Sequence, residues 1–239
     1  MDNRIRNAKT YVIIVAAGSG SRFGSDTPKQ FLPLCGKPVL AHTIEAFRTA
    51  IPKAHILLVL SDTMTDTWQD LCTAHNIDSP EIIIGGDTRW ESVKHAIDAL
   101  ADAPAHSTIL IHDGARPLTN GKTIRTAAAC AINTDGAIPA IAVTDSLREL
   151  DDAETSSKPV DRAKYRAVQT PQAFQLWRLR EAYALPYQDD FTDDASVMAA
   201  AGFENIVLTP GSPENIKITT PVDMLLAQAI INARNTLTD

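Results

Sequence analysis

Apolar residues along this chain fall into two alternating kinds of segment. Short apolar runs at Tyr11–Ala17, His55–Leu60, Glu81–Ile84, Thr108–His112 and Ala137–Val143 suit parallel strands buried on both faces. Between them Val39–Ala50, Thr65–Ala74, Arg89–Ala101 and Thr123–Ile132 repeat apolar residues at three- and four-residue spacing, the stripe a helix lays against a sheet. The alternation predicts an α/β fold: a Rossmann-like layered, mostly parallel sheet with helices on both faces. The pattern breaks over Thr144–Thr170, where a polar, turn-rich stretch at Asp151–Pro159 lies between two extended pieces. That break predicts a projecting β-arm. Helices follow near Gln175–Ala184 and Asp193–Ala201, with strands at Asn205–Thr209 and Ile216–Thr219. A last helix opens at Thr220, a capping residue, with Pro221 in its first turn and Asp223 near its positive end. With no internal repeat or low-complexity tract, residues 1–239 read as one domain carrying an arm at about 144–170.

Charge narrows the partners. The chain carries 22 Lys+Arg against 29 Asp+Glu, a formal net charge of −7, which argues against a broad surface for nucleic acid or anionic lipid. An anion must therefore be bound locally. No apolar run approaches the roughly 18 residues of a membrane span, and the N-terminal stretch lacks the marks of a secretory peptide, so the expected location is cytoplasmic. Cys35, Cys72 and Cys130 are odd in number and far apart, and they read as reduced thiols. Cys72-x-x-His75 has ligand-like spacing, but no second pair completes a tetrahedral site.

The first strand runs directly into Gly18-Ser19-Gly20-Ser21-Arg22-Phe23-Gly24. In an open α/β sheet, ligands bind outside the carboxyl ends of the strands. Glycines there allow close backbone approach, and unpaired loop N–H groups can face phosphate oxygens. The spacing is neither the dinucleotide fingerprint nor the P-loop. What the loop adds is a cation within it, Arg22, and another soon after, Lys29, placed where a phosphoryl group would gain charge in its transition state. Gly85-Gly86-Asp87 and His112-Asp113 each end a strand and fall at the same edge. Asp113 suits a hard divalent cation or a hydroxyl; His112 reads as a packed strand residue.

Taken together, Ala16–Phe23, Pro28–Leu32, Gly36–Leu40, Gly85–Arg89 with Ser92, His112–Pro117, Gln169–Phe174, Phe191–Ser196 and Asn215–Thr219 resemble a known signature. It is that of the sugar-nucleotidyltransferase superfamily, and within it of the 2-C-methyl-D-erythritol 4-phosphate cytidylyltransferase family, in order along nearly the whole chain. The resemblance implies transfer of a cytidylyl group from CTP to a sugar-alcohol phosphate with the help of Mg²⁺. It implies that Ala16, Ala17, Gly18 and Gly20 cradle the triphosphate, that Gly86, Asp87 and Ser92 hold cytosine, and that Asp113 lies by the nucleotide and metal. Arg22, Lys29, Arg162 and Lys217 become the catalytic cations, while Arg116, Ser146, Thr170 and Thr192 meet the phosphate and hydroxyls of the second substrate. It also implies a homodimer joined through the arm. The family commonly has alanine where this chain has Gly114, a departure expected to matter little. Ribitol-5-phosphate cytidylyltransferase is the nearest alternative. An NAD(P)-dependent oxidoreductase is disfavoured by the glycine spacing, and a non-catalytic nucleotide-binding regulator would not need all four cations.

Overall fold

The structure, a computed structural model, describes residues 9–18, 23 and 27–236. Among them an eight-stranded sheet forms the centre. Its heart is four parallel strands: β1 (Thr10–Val15) lies between β4 (His55–Leu60) and β6 (Thr108–Asp113), and β5 (Glu81–Ile84) pairs β4 outside. β2 (Pro33–Leu34) and β3 (Lys37–Pro38) make a separate small hairpin that the apolar pattern does not signal.

Beyond β6 the sheet becomes mixed. β7 (Gly136–Ala142) pairs in parallel with β12 (Ile206–Pro210), and antiparallel with β10 (Arg166–Val168) and β11 (Gln172–Gln175), of which β11 also pairs antiparallel with β6. β10 and β11 thus form one course along β7, interrupted at Gln169–Pro171. The arm is the hairpin of β8 (Arg148–Leu150) and β9 (Ser157–Pro159). Asp151 closes its tip by accepting from the backbone N–H groups of Thr155 and Ser156 at 2.8 and 3.0 Å.

Alternation along the central strands sends side chains to two separate cores. Val12, Ile14, Ile56, Leu58, Leu60 and Leu110 pack under α1 (Val39–Ala50), α2 (Thr65–His75) and α4 (Gly121–Cys130). Tyr11, Ile13, Leu57, Val59, Ile109 and Ile111 pack under α3 (Arg89–Ala99), α5 (Leu176–Ala182) and α6 (Asp194–Ala200) on the opposite face. The expected α/β layering with helices on both faces is what the chain forms. Helix α7 (Pro221–Thr236) joins a third cluster through Met224, Ala227, Ile230 and Ile231, beside Leu34, Val39, Leu118 and Ile218.

One expectation needs correction. Ile216–Thr219 is not a strand: it crosses the carboxyl edge as a loop, tied at Ile218 N–H to Ala115 O at 2.8 Å. At the start of α7, Asp223 reaches back and accepts from the backbone N–H groups of Thr219 and Thr220 at 2.8 and 2.7 Å. The acid in the first turn therefore satisfies the N–H groups of the two residues that lead into the helix. Among the described residues no helix is long and apolar enough to cross a membrane.

Candidate active site

The carboxyl ends of β1 and β6 and the segment that follows β5 surround a cavity of about 360 Å³. Its walls include Ala16, Ala17 and Gly18 from the end of β1, Lys29 and Gln30 from the short turn Lys29–Phe31, and Gly86, Asp87 and Ser92 around the start of α3. Asp113 and Lys217 complete the wall opposite. Residues singled out from the sequence thus meet here although they come from both ends of the chain. Gly20 and Arg22 lie outside the described residues.

The start of α3 is built for close approach. Thr88 caps the helix, accepting from Glu91 N–H at 3.0 Å, while Glu91 Oε2 accepts from Thr88 N–H at 2.8 Å. Ser92 Oγ accepts from Gly86 N–H at 3.2 Å. Gly85 has no room for a side chain: an added Cβ would sit 2.7 Å from Ser92 Oγ and 2.9 Å from Ala17 Cβ. The glycine lets β1 and α3 close on each other here.

Asp113 sits at the centre of the charge. Only 8% exposed, its Oδ2 accepts from Arg116 Nε at 3.0 Å and pairs with Lys217 Nζ at 3.1 Å, and Arg89 Nε stands 3.9 Å from Oδ1. Burial pushes this carboxyl up, but Lys217, Arg89 and Arg116 more than offset it and hold Asp113 well below the usual carboxylate range. Arg89 is itself held by a fully buried acid, Asp194, through both guanidinium nitrogens at 3.0 and 2.6 Å. Tyr183 donates to the same carboxylate at 2.7 Å.

Thr170, behind Asp113, is a bridge. Its hydroxyl accepts from Asp113 N–H at 3.1 Å and lies 2.9 Å from His112 Nδ1. His112 Nε2 faces Arg116 O at 3.1 Å and must donate there, so Nδ1 is bare and accepts from Thr170. Burial lowers the His112 pKa to about 4, and the ring is neutral at physiological pH. His112 is packed, as the sequence suggests.

The loop carrying Lys217 is fixed by buried amides. Fully buried Asn215 donates from its side-chain amide to Thr170 O at 2.8 Å and accepts at its backbone carbonyl from Arg116 Nη1 at 2.8 Å. Gln169 donates to Ser212 O at 2.8 Å. The remaining singled-out residues stand apart from the cavity wall: Thr192 is exposed before α6, and Ser146 and Arg162 lie exposed on the arm, where Arg162 donates to Thr144 O.

Sequence reading gave no role to Arg89, Asp194, Asn215 or Gln169. Asp193 and Asp194 are adjacent acids before an apolar helix, and nothing local says that Asp193 caps it while Asp194 turns inward to a residue 105 positions away. Gly114 is also less free than expected: an added Cβ would lie 2.8 Å from Ala16 Cβ and 3.2 Å from Val15 O.

The hydroxyls along the wall are committed, Thr88 to its cap and Ser92 to Gly86, while Lys29, Arg89 and Lys217 present positive charge. Positive charge at the carboxyl edge of a mostly parallel sheet suits the phosphates of a nucleotide, as the nucleotidyltransferase class requires. The family model described as IspD, 2-C-methyl-D-erythritol 4-phosphate cytidylyltransferase, matches residues 10–233, and the chain belongs to that family. A protein of that name from Bacteroides thetaiotaomicron is 44% identical over 224 residues, covering 93% of this chain and 100% of its own. One from Halalkalibacterium halodurans is 35% identical over 92% of this chain and 96% of its own. The crystal structure of the protein of that name from Francisella tularensis covers 92% of this chain and 98% of its own, at 28% identity and a TM-score of 0.75.

Proposed function

We propose that this chain joins CTP to 2-C-methyl-D-erythritol 4-phosphate, releasing pyrophosphate and giving 4-diphosphocytidyl-2-C-methyl-D-erythritol, a step in isoprenoid precursor synthesis. The observation that carries the reading is the cavity in which the end of β1, the start of α3 and the Asp113 cluster face one another, in a chain whose family has this activity. A phosphate oxygen of the sugar-alcohol phosphate attacks the α-phosphorus of CTP. A new P–O bond forms, and the bond to the bridging oxygen of the β-phosphate breaks. The nucleophile is already ionised, so no general base is needed; the difficulty is bringing two polyanions together.

The cations answer it. Lys29, with Arg22 of the glycine loop, stabilises charge building on the α-phosphoryl group, and Lys217 fixes the attacking phosphate in line. Gly86, Asp87 and Ser92 receive the base, with Ser92 Oγ keeping the Gly86 backbone in place. Arg116 and Thr170 hold the second substrate's side of the site and orient Asp113.

The donor set fits one divalent cation of the Mg²⁺ kind. Asp113 Oδ1 carries no hydrogen bond among the described residues while Oδ2 is taken by Arg116 and Lys217, and no group of three or more metal-binding side chains stands among those residues. A single carboxylate oxygen beside phosphates is a common Mg²⁺ arrangement. When bound, the ion offsets triphosphate charge.

The arm is proposed to join two copies of the chain in the cytoplasm. Leu150 on the arm, and Tyr165 and Val168 where the chain returns to the sheet, are 57%, 48% and 43% exposed, and a two-stranded projection is marginal alone in water. A second subunit would cover them and bring Arg162, with Ser146, to the neighbouring site, where Thr192 also waits.

Pyrophosphate release from CTP, measured with 2-C-methyl-D-erythritol 4-phosphate and with ribitol 5-phosphate side by side, tests the reading. Faster turnover of the former, abolished by excess chelator and restored by Mg²⁺, is expected. Preference for ribitol 5-phosphate would overturn the substrate, and full activity in chelator would remove the metal.

A further inference from the structure

The cavity's inner wall is held by an amide to which the functional reading gives no task. Gln30, in the middle of the turn Lys29–Phe31, is only 2% exposed. Its Nε2 lies 2.8 Å from Ala16 O and 3.1 Å from Gly18 O, with Met64 Sδ a weaker acceptor at 3.4 Å, so the amide's two protons are drawn chiefly to carbonyls of the segment leaving β1. The turn is seated firmly: Phe31 is buried and stacks on fully buried Trp68 with ring centroids 6.0 Å apart.

Peptide geometry turns this into a statement about the ligand. Across a trans peptide the carbonyl of one residue and the N–H of the next point in opposite directions. With Ala16 C=O drawn to Gln30, Ala17 N–H points away from it, and that N–H has no partner among the described residues. If the peptide turned over, an oxygen would face the phosphates where a donor should stand.

We propose that Gln30 is a positioning residue of the nucleotide site: it draws the carbonyls of Ala16 and Gly18 away from the triphosphate, leaves the Ala17 N–H to face it, and seats Lys29 on the same turn. This rests on the CTP reading above. The chemistry demands an amide. A carboxylate of the same shape has no proton to give and would confront two carbonyl oxygens, and an apolar isostere would leave both carbonyls unpaired.

Purified Gln30→Glu and Gln30→Met chains test it by calorimetric titration with CTP, steady-state KM for both substrates, and thermal melting. Both variants should bind CTP about tenfold or more weakly, the equivalent of one to two lost hydrogen bonds. The KM for 2-C-methyl-D-erythritol 4-phosphate should stay within about twofold, and Gln30→Glu should lose more than Gln30→Met. Should Gln30→Glu fail to fold, Gln30→Met carries the measurement, since it keeps the shape beside Met64. A folded variant that binds CTP within about twofold of the unaltered chain overturns the proposal. So does an equal rise in both KM values, the mark of a general structural role. An unaltered chain that does not bind CTP sinks the nucleotide reading first, and this one with it.

Discussion

Arg89 and Asp194 are joined across 105 residues of chain by two parallel hydrogen bonds of 3.0 and 2.6 Å, the acid being entirely buried. The pair ties the start of α3, which lines the cavity, to the start of α6 and the Thr192 segment before it. Asp194→Ala would strip Arg89, a cation 32% exposed, of its main partner and leave the Tyr183 hydroxyl unpaired. Urea unfolding should show a loss of roughly 1–3 kcal/mol; an unchanged midpoint would mean that the pair contributes nothing to the fold.

Lys29 lines the cavity on a turn fixed by Gln30 and Phe31. Lys29→Ala should lower kcat by roughly 10²–10³-fold while CTP affinity changes far less, because the charge matters most as the transition state forms. Single-turnover rates beside a CTP titration separate the two effects, and equal turnover would end the transition-state role. Arg22→Ala should act similarly with a larger loss of nucleotide affinity.

Gly114 closes against Ala16, and Thr43 donates to its carbonyl at 2.9 Å. Gly114→Ala should therefore cost about 1–3 kcal/mol through overpacking. Calorimetry should show a melting midpoint several degrees lower. An equal or higher midpoint would show that β1 and β6 part easily.

Asp223 supplies a pH signature. Burial is the largest single influence and raises its carboxyl, but the hydroxyl and N–H donors of Thr219 and Thr220 together outweigh it and hold the group below its ordinary 3.8. A carboxyl lowered on folding stabilises the native state above the unfolded value and loses that contribution as the pH falls through the folded value. Asp223→Ala should cost about 0.5–2 kcal/mol near neutral pH, with the gap between variant and parent narrowing below pH 3.8. A gap independent of pH would assign the effect to something other than the charge.

Arg162 stands on the exposed arm with its guanidinium on Thr144 O, away from the cavity wall of its own chain. If the partner's arm completes each site, mixing Arg162→Ala chains with Lys29→Ala chains should restore activity, each supplying what the other lacks. No recovery after verified subunit exchange, or a monomer by sedimentation, would rule out shared sites.

The central layers were legible because strand and helix periodicities are local. Alternation along Tyr11–Val15 and His55–Leu60 determined which side chains enter which core, and the apolar stripes of α1 to α4 followed. The stations of the site were legible for a related reason: a glycine or acid just past a strand must emerge at the carboxyl edge. What the sequence could not determine was pairing between distant parts. The antiparallel insertion of β11 between β6 and β7 depends on partners far along the chain, and no local period encodes it. The alternation in Ile216-Lys217-Ile218 suggested a strand, but Asn215 and Ile218 are instead bound to Thr170 and Ala115. Only tertiary structure chose the partners of Arg89, Asp113 and Gln30, because a buried charge or amide takes its meaning from the groups that satisfy it, and those arrive from elsewhere in the fold.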